Sequence, residues 1–309
     1  MNRTTLITKP QKDYELLDSG REEKLERYGD VVLARPDPQA LWEKKLGAGE
    51  WHKAHGSYER KGKEGVWHDN RLPKEWQIEF GGLQFVIRPT SFKHTGLFPE
   101  QLSNWEWVGD LLRKAPALRR DEHDPNSSAR DFAPKVLNLF GYTGGATLAA
   151  AKAGAEVTHA DASKTAVAWA RENAKISGLE KKPVRWIVED ALLFVKREIR
   201  RLSENASKSK YDGIIMDPPA FGHGPKNELW KIEEDFIELV KLCTELLSEK
   251  PLFFLINGYA AGYSPLAFAY NLEPLVKKFG GVIEYGDLTI EEKGSGRLLP
   301  CGIFARWRS

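Results

Sequence analysis

The side chains best suited to chemistry are Asp217, Pro218, Pro219 and Phe221, in the run Asp217-Pro218-Pro219-Ala220-Phe221. Two successive prolines stiffen the backbone and remove two N–H donors. A carboxylate and bare carbonyls are left as an acceptor-only cluster, and an aromatic plate stands beside them. Acceptors of this kind grip an amino group. The plate can stack a planar ring, as a flipped-out nucleobase or another planar nitrogen compound would require. A purely structural turn at a strand end is the competing reading.

Three further features fall at strand ends. VLNLFGYTGGAT, from Val136 to Thr147, is an apolar run followed by Gly141, Gly144 and Gly145 and then a helix-forming segment. A loop of this kind lets the backbone approach a ligand closely and aims helix N-terminal amides at it. Asp161 follows 20 residues after Gly141, where a carboxylate can accept from a ribose diol; an N-cap role, shared with Ser163, is the alternative. Asp190 ends the run WIVED and could hold the exocyclic amine of an adenine or cap the next helix.

The elements that must position these residues alternate. Strands are expected at Lys135–Leu139, Glu156–Ala160, Val184–Val188, Tyr211–Met216, Leu252–Ile256, Gly281–Leu288 and Gly302–Arg306. Helices are expected at Gly144–Ala153, Ser163–Ile176, Ala191–Leu202, Glu228–Leu247 and Pro265–Phe279, after a helical pattern over Phe98–Leu118 and a polar loop. The fold class is therefore α/β: a doubly wound, mostly parallel, seven-stranded sheet, with the last two strands as an antiparallel hairpin at its edge. Residues 1–93 read differently, as a small β-rich module with a Gly81-Gly82 hairpin, leaving 94–309 as the larger domain. Trp42, Trp51, Trp67 and Trp76 fill its core or stack on unpaired bases. The basic run at 196–210 is a solvated helix end or a phosphate contact.

Composition bounds the function. A net charge of +2 does not argue for a broad nucleic-acid-binding surface and leaves room for a local basic groove. Cys243 and Cys301 offer neither a disulfide framework nor a metal spacing, so no metal is expected and a reducing cytoplasm is the expected setting. No apolar stretch approaches the ~20 residues of a membrane span.

In order, LNLFGYTGG, Asp161, VEDA and DPPAF resemble the class I S-adenosylmethionine-dependent methyltransferases. More narrowly they are similar to the bacterial 23S rRNA methyltransferases that combine an FxYTGG loop with a DPPxF motif. HTGLFPEQ at 94–101 is similar to the segment before that family's catalytic domain, and the resemblance covers about residues 76–309. It implies S-adenosylmethionine as cofactor, with Phe140, Gly141, Tyr142, Thr143 and Gly144 cradling its methionine part. Asp161 would hold the ribose, with Ala162 beside it in the same site, and Asp190 and Ala191 would contact the adenine. Asp217, Pro218, Pro219 and Phe221 would line the acceptor pocket, Asp217 also lying near the cofactor's amino group. Gly96, Phe98 and Gln101 would close the cofactor pocket from the other side.

The chain departs from that family in two places. Members that methylate pyrimidine C5 need a cysteine after the strand equivalent to LFFLI, where this chain has Asn257-Gly258-Tyr259. Cys243 and Cys301 read as packing residues. Asn257 resembles the residue found here in the branch that methylates a purine nitrogen. The second departure is residues 1–75, which carry no recognisable small RNA-binding domain. Methyl transfer from a sulfonium is an in-line displacement with a neutral leaving group, so it needs positioning more than a triad. The expected activity is methylation of a base nitrogen in RNA, rRNA being the expected partner. Methylation of protein or a small molecule, and a catalytically silent RNA-binding subunit, are the alternatives.

Overall fold

The computed structural model describes residues 1–61, 64–68, 71–118, 133–204, 210–259 and 262–309. The polar loop at 119–130 and residues 205–209 of the basic run lie outside these. Two compact units emerge. One comprises Met1–Thr4, Asn104–Asp287 and Gly302–Ser309; the other comprises Thr5–Ser103 and Leu288–Cys301. The boundary expected at residue 93 falls within the second unit.

The N-terminal third is β-rich, as its short β-branched and aromatic runs lead one to expect. Its elements are β1 (Asn2–Thr8), β2 (Tyr14–Gly20), β3 (Glu23–Tyr28), β4 (Val31–Pro36), α1 (Ala48–Trp51), β5 (Gly56–Lys61), β6 (Glu64–His68), β7 (Trp76–Phe80) and β8 (Leu83–Ile87). β2 to β6 form a five-stranded sheet in chain order. β7 and β8 pair antiparallel around Gly81 and Gly82, both at positive φ as a two-residue hairpin turn demands. The four tryptophans are structural here. Trp42 donates its indole N–H to Ser19, Trp51 to Asp18, Trp67 to Thr90 and Trp76 to Tyr28, and none is exposed. Glu26, fully buried, accepts from Tyr14 at 2.8 Å and from Arg35 Nε at 2.8 Å. Burial opposes its ionisation, yet Arg35 and Lys24 outweigh that and hold it down to about 2.

The remaining elements alternate. They are α2 (Leu102–Leu118), β9 (Lys135–Leu139), α3 (Gly145–Lys152), β10 (Glu156–Asp161), α4 (Lys164–Ile176), β11 (Val184–Val188), α5 (Ala191–Ser203), β12 (Gly213–Met216), β13 (Phe221–His223), β14 (Leu229–Lys231), α6 (Ile232–Glu245), β15 (Phe253–Tyr259), α7 (Pro265–Phe279), β16 (Val282–Glu291) and β17 (Leu298–Arg308). The main sheet runs β1-β16-β17-β15-β12-β9-β10-β11. Pairing is parallel from β15 through β11, and β17 is antiparallel to β15. β16 and β17 are neighbours as expected, but the edge belongs to an eighth strand, β1, in which short β-branched residues pair at a distance that no local pattern announces.

Alternation along the central strands feeds two cores. Val136, Ile215, Phe253 and Leu255 pack with α2 and α3. Leu137, Leu139, Ile214, Met216, Phe254 and Ile256 pack with α5, α6 and α7. Helices on both faces are what continuous apolar strands require. One expectation fails: Glu228 does not begin a helix. Residues 221–231 form the hairpin β13–β14 instead, turned at Asn227, whose φ is 69°. α6 starts at Ile232, with Asp235 accepting from the Lys231 N–H at 2.9 Å. Leu229, Trp230 and Lys231 alternate exposed, buried and half-buried, which is the period of a strand.

Candidate active site

Chain order reverses between β9 and β12, the switch point where open α/β sheets bind ligands. The register carries the candidate residues there together. Ala160 pairs with Leu139, Leu139 with Met216, and Met216 with Ile256. The residues that follow each strand position are Asp161, Phe140, Asp217 and Asn257. They therefore form one row across four neighbouring strands, about 14 Å wide at the usual interstrand spacing.

The loop after β9 is strained in a regular way. Phe140, Tyr142 and Gly144 have φ of 56°, 48° and 92°, while Gly141 and Thr143 between them do not enter that region. Two non-glycine residues held left-handed cost on the order of 1 kcal/mol each or more. Backbone alternating in this sense converges its N–H groups into a concavity suited to an anion such as a carboxylate. Gly141 must lack a side chain: a Cβ there would lie 2.5 Å from the His159 ring. His159 is fully buried, its Nδ1 lies 2.8 Å from Thr147 Oγ1, and that oxygen accepts from Asn138. Burial, helped by Arg171, holds His159 down to about 3, so it is neutral.

Asp161 supports the same loop. One carboxylate oxygen accepts from the Tyr142 N–H and the other from the Ser163 N–H, both at 2.8 Å. Burial raises its pKa against these two bonds. Ser163, not Asp161, caps α4. Ala162 is the half-buried residue between them. Asp190 is the N-cap of α5, accepting from the Leu193 N–H at 3.0 Å, and Ala191 opens that helix. The capping alternative is thus the role visible for Asp190.

In the proline turn, burial pushes Asp217 up to about 7. Pro218 is buried and Pro219 exposed. The Pro219 carbonyl accepts from the Trp230 indole at 2.7 Å, and the Trp230 ring stands 5.0 Å from Phe140. Trp230 therefore ties the proline turn to the glycine loop. Phe221 is 57% exposed, its ring meeting His223 edge-on at 5.2 Å. Asn257 is buried on β15 and accepts from Asn104, which accepts from Arg306 at 3.2 Å. Phe98 and Gln101 belong to the other unit, where Phe98 caps the 3-10 turn Pro99–Gln101 and Gln101 is buried.

Both cysteines are buried with their thiols pushed up by burial, so neither is a thiolate. Among the described residues no cluster of His, Cys, Asp or Glu is placed to hold a metal ion. No helix among them is long and apolar enough to cross a membrane. Sequence reasoning missed His159 and Trp230. His159 could have been found, because it stands two residues before Asp161 and so on the same strand face. Trp230 carries no local signal.

No family profile matches the chain. The ribosomal RNA large subunit methyltransferase K/L of Shewanella sp. strain ANA-3 is 28% identical over 271 residues, covering 85% of this chain and 32% of the relative. The protein of the same name from strain MR-4 is 30% identical with the same coverage. The chain thus spans about a third of the length of the curated relatives it matches. Among solved structures, SMU.776, assigned as a methyltransferase and solved with SAH, is 19% identical with a TM-score of 0.67, covering 96% of this chain and 75% of that one; at that identity the likeness is one of fold. The S-adenosylmethionine-dependent methyltransferase from Agrobacterium tumefaciens is 38% identical with a TM-score of 0.87, over 99% of this chain and 95% of that one. With the sheet order, the strained loop and the row of strand-end residues already described, this likeness settles the family: the chain belongs to the class I S-adenosylmethionine-dependent methyltransferases.

Proposed function

We propose that the protein methylates a nitrogen of a base in RNA, with rRNA the best candidate substrate. The observation that carries this reading is the proline turn: Asp217 beside the glycine loop, with Phe221 held in solvent at 57% exposure. Bound at the loop, S-adenosylmethionine supplies a methyl group on a sulfonium. The N–H groups of 140–144 receive its carboxylate, Asp161 its ribose, and Asp190 with Ala191 flank its adenine, with Ala162 alongside. Asp217, together with the carbonyl of Pro218, accepts from the acceptor's amino group and orients its nitrogen, Pro219 fixes the turn, and Phe221 stacks the ring. Asn257, held by Asn104, borders the acceptor. The absence of a thiolate at either cysteine favours nitrogen over pyrimidine C5, whose chemistry needs a covalent adduct. The likeness to the Shewanella rRNA methyltransferases supports the choice of RNA. We further propose a cytoplasmic enzyme that needs no metal, with 1–93 as a module accompanying the catalytic domain 94–309.

The test is to incubate the protein with labelled S-adenosylmethionine and, in turn, ribosomal subunits, free rRNA and total protein. Label should enter RNA, and nuclease digestion with mass spectrometry should put the methyl on a base nitrogen. Label in protein alone, or on a pyrimidine carbon, would overturn the reading.

A further inference from the structure

The hairpin β13–β14 has two unlike faces. On the inner face Trp230 is 3% exposed and is bonded to the Pro219 carbonyl and packed on Phe140. On the outer face cross-strand partners stand together: Phe221 opposite Lys231, and His223 opposite Leu229. Phe221 is 57% and Leu229 50% exposed, and His223 is exposed between them. Packing does not account for two large apolar side chains held in solvent by a strand whose reverse side is fixed. Such a patch marks a binding surface.

We propose that this outer face is a platform for single-stranded RNA, on which His223 and Leu229 receive the nucleotide next to the acceptor. The inference rests on the reading of an RNA base as acceptor and extends it to the flanking residue. His223 lies two strand positions beyond Phe221, about 6.8 Å along the chain, and its ring meets that of Phe221 at 88°. A second base leaving the Phe221 plate therefore meets His223 and Leu229 next. The hairpin itself carries Lys226 and Lys231 against Glu228, and the acidic first turn of α6, Glu233 to Asp235, stands behind Lys231, so stacking rather than net charge is what this face offers RNA. Lys231 pairs at the surface with Glu234 at 2.8 Å, an exposed pair of the kind that exchanges for phosphate at little cost. Aromatic stacking with a nearby cation is how sequence-tolerant single-strand sites are built.

The experiment compares parent, the double variant His223→Ala/Leu229→Ala, and Leu229→Asp, using labelled cofactor and the RNA fragment that the parent methylates. The double variant should raise the KM for RNA roughly 10-fold or more. Affinity for S-adenosylmethionine and melting temperature should stay as in the parent, since both side chains are exposed. Leu229→Asp should raise that KM further at low than at high salt, because it sets a charge against phosphates. An unchanged KM for RNA in both variants overturns the platform while leaving RNA as the acceptor. A fall in cofactor affinity and melting temperature in step with the loss of RNA binding also overturns it, by making the hairpin structural. A parent that labels protein and no RNA overturns the platform and the proposed function together.

Discussion

Asp217 should make cofactor and acceptor binding depend on pH near neutrality. Burial raises this carboxyl to about 7, because a charge there loses its hydration. At pH 6 about a tenth of the free protein then carries the carboxylate, and at pH 8 about nine-tenths. The ligands proposed for this position, the cofactor's ammonium and the acceptor's amino group, both favour the ionised form. Binding of S-adenosylmethionine should therefore release close to one proton below pH 7. Its affinity should fall about tenfold, or roughly 1.4 kcal/mol, for each unit below that point. Stability should move the opposite way in the free protein. With the folded pKa raised above the unfolded value near 3.8, the stabilisation from the protonated form is fully present below that value and is lost as pH rises through about 7. Calorimetric titration at pH 6, 7 and 8, in two buffers of different ionisation enthalpy, measures both affinity and proton release. Asp217→Asn should flatten the affinity profile and abolish the release. An affinity with the same pH slope in parent and Asp217→Asn would refute the reasoning, since some other group would then be titrating.

Gly141→Ala should weaken S-adenosylmethionine binding by driving a Cβ into the His159 imidazole, and the added change His159→Ala should restore part of the loss; a double-mutant cycle that is strictly additive would remove the contact from consideration. Asp161→Ala should cost roughly 10- to 150-fold in cofactor affinity by equilibrium titration, since the carboxylate both supports the Tyr142 N–H and faces the proposed ribose. Replacing Cys243 by Ala and Cys301 by Ser should spare methyl transfer in a folded protein, and a covalent adduct with 5-fluoropyrimidine RNA would contradict this. Glu26→Ala should destabilise the protein by about 3–5 kcal/mol in a denaturant titration, because it strands buried Arg35 and Lys24 without their counter-charge.

How much of this could be read from the sequence depended on the range of the signal. The alternation of strands and helices after residue 135 comes from local periodicity, and the structure follows it closely. The glycine loop and the proline turn were legible because backbone restrictions leave a trace in residue type. The trace was incomplete. Phe140 and Tyr142 take the left-handed region without being glycine, a strain tolerated only because Asp161 and Trp230 hold the loop. The hairpin at 221–231 was hidden because acidic residues from Glu228 onward mimic a helix start, while the burial of Trp230 decides for a strand. β1 went unseen for the opposite reason: its partners lie near the other end of the chain.

The make-up of the second unit constrains the order of its assembly. Residues 288–301 belong to it as fully as residues 5–103 do: Glu292 accepts from Ser19 at 2.7 Å, Arg297 reaches Asp18 at 3.0 Å, and Thr289 donates to the Leu6 carbonyl at 2.9 Å. During synthesis residues 5–103 emerge well before the segment that neutralises buried Asp18 and ties down Ser19. The unit must wait, partly open, while the intervening chain is translated, a delay of roughly 10–40 s at typical elongation rates. A part made early therefore closes late, and a nascent chain halted before residue 288 would expose it to chaperones and proteases.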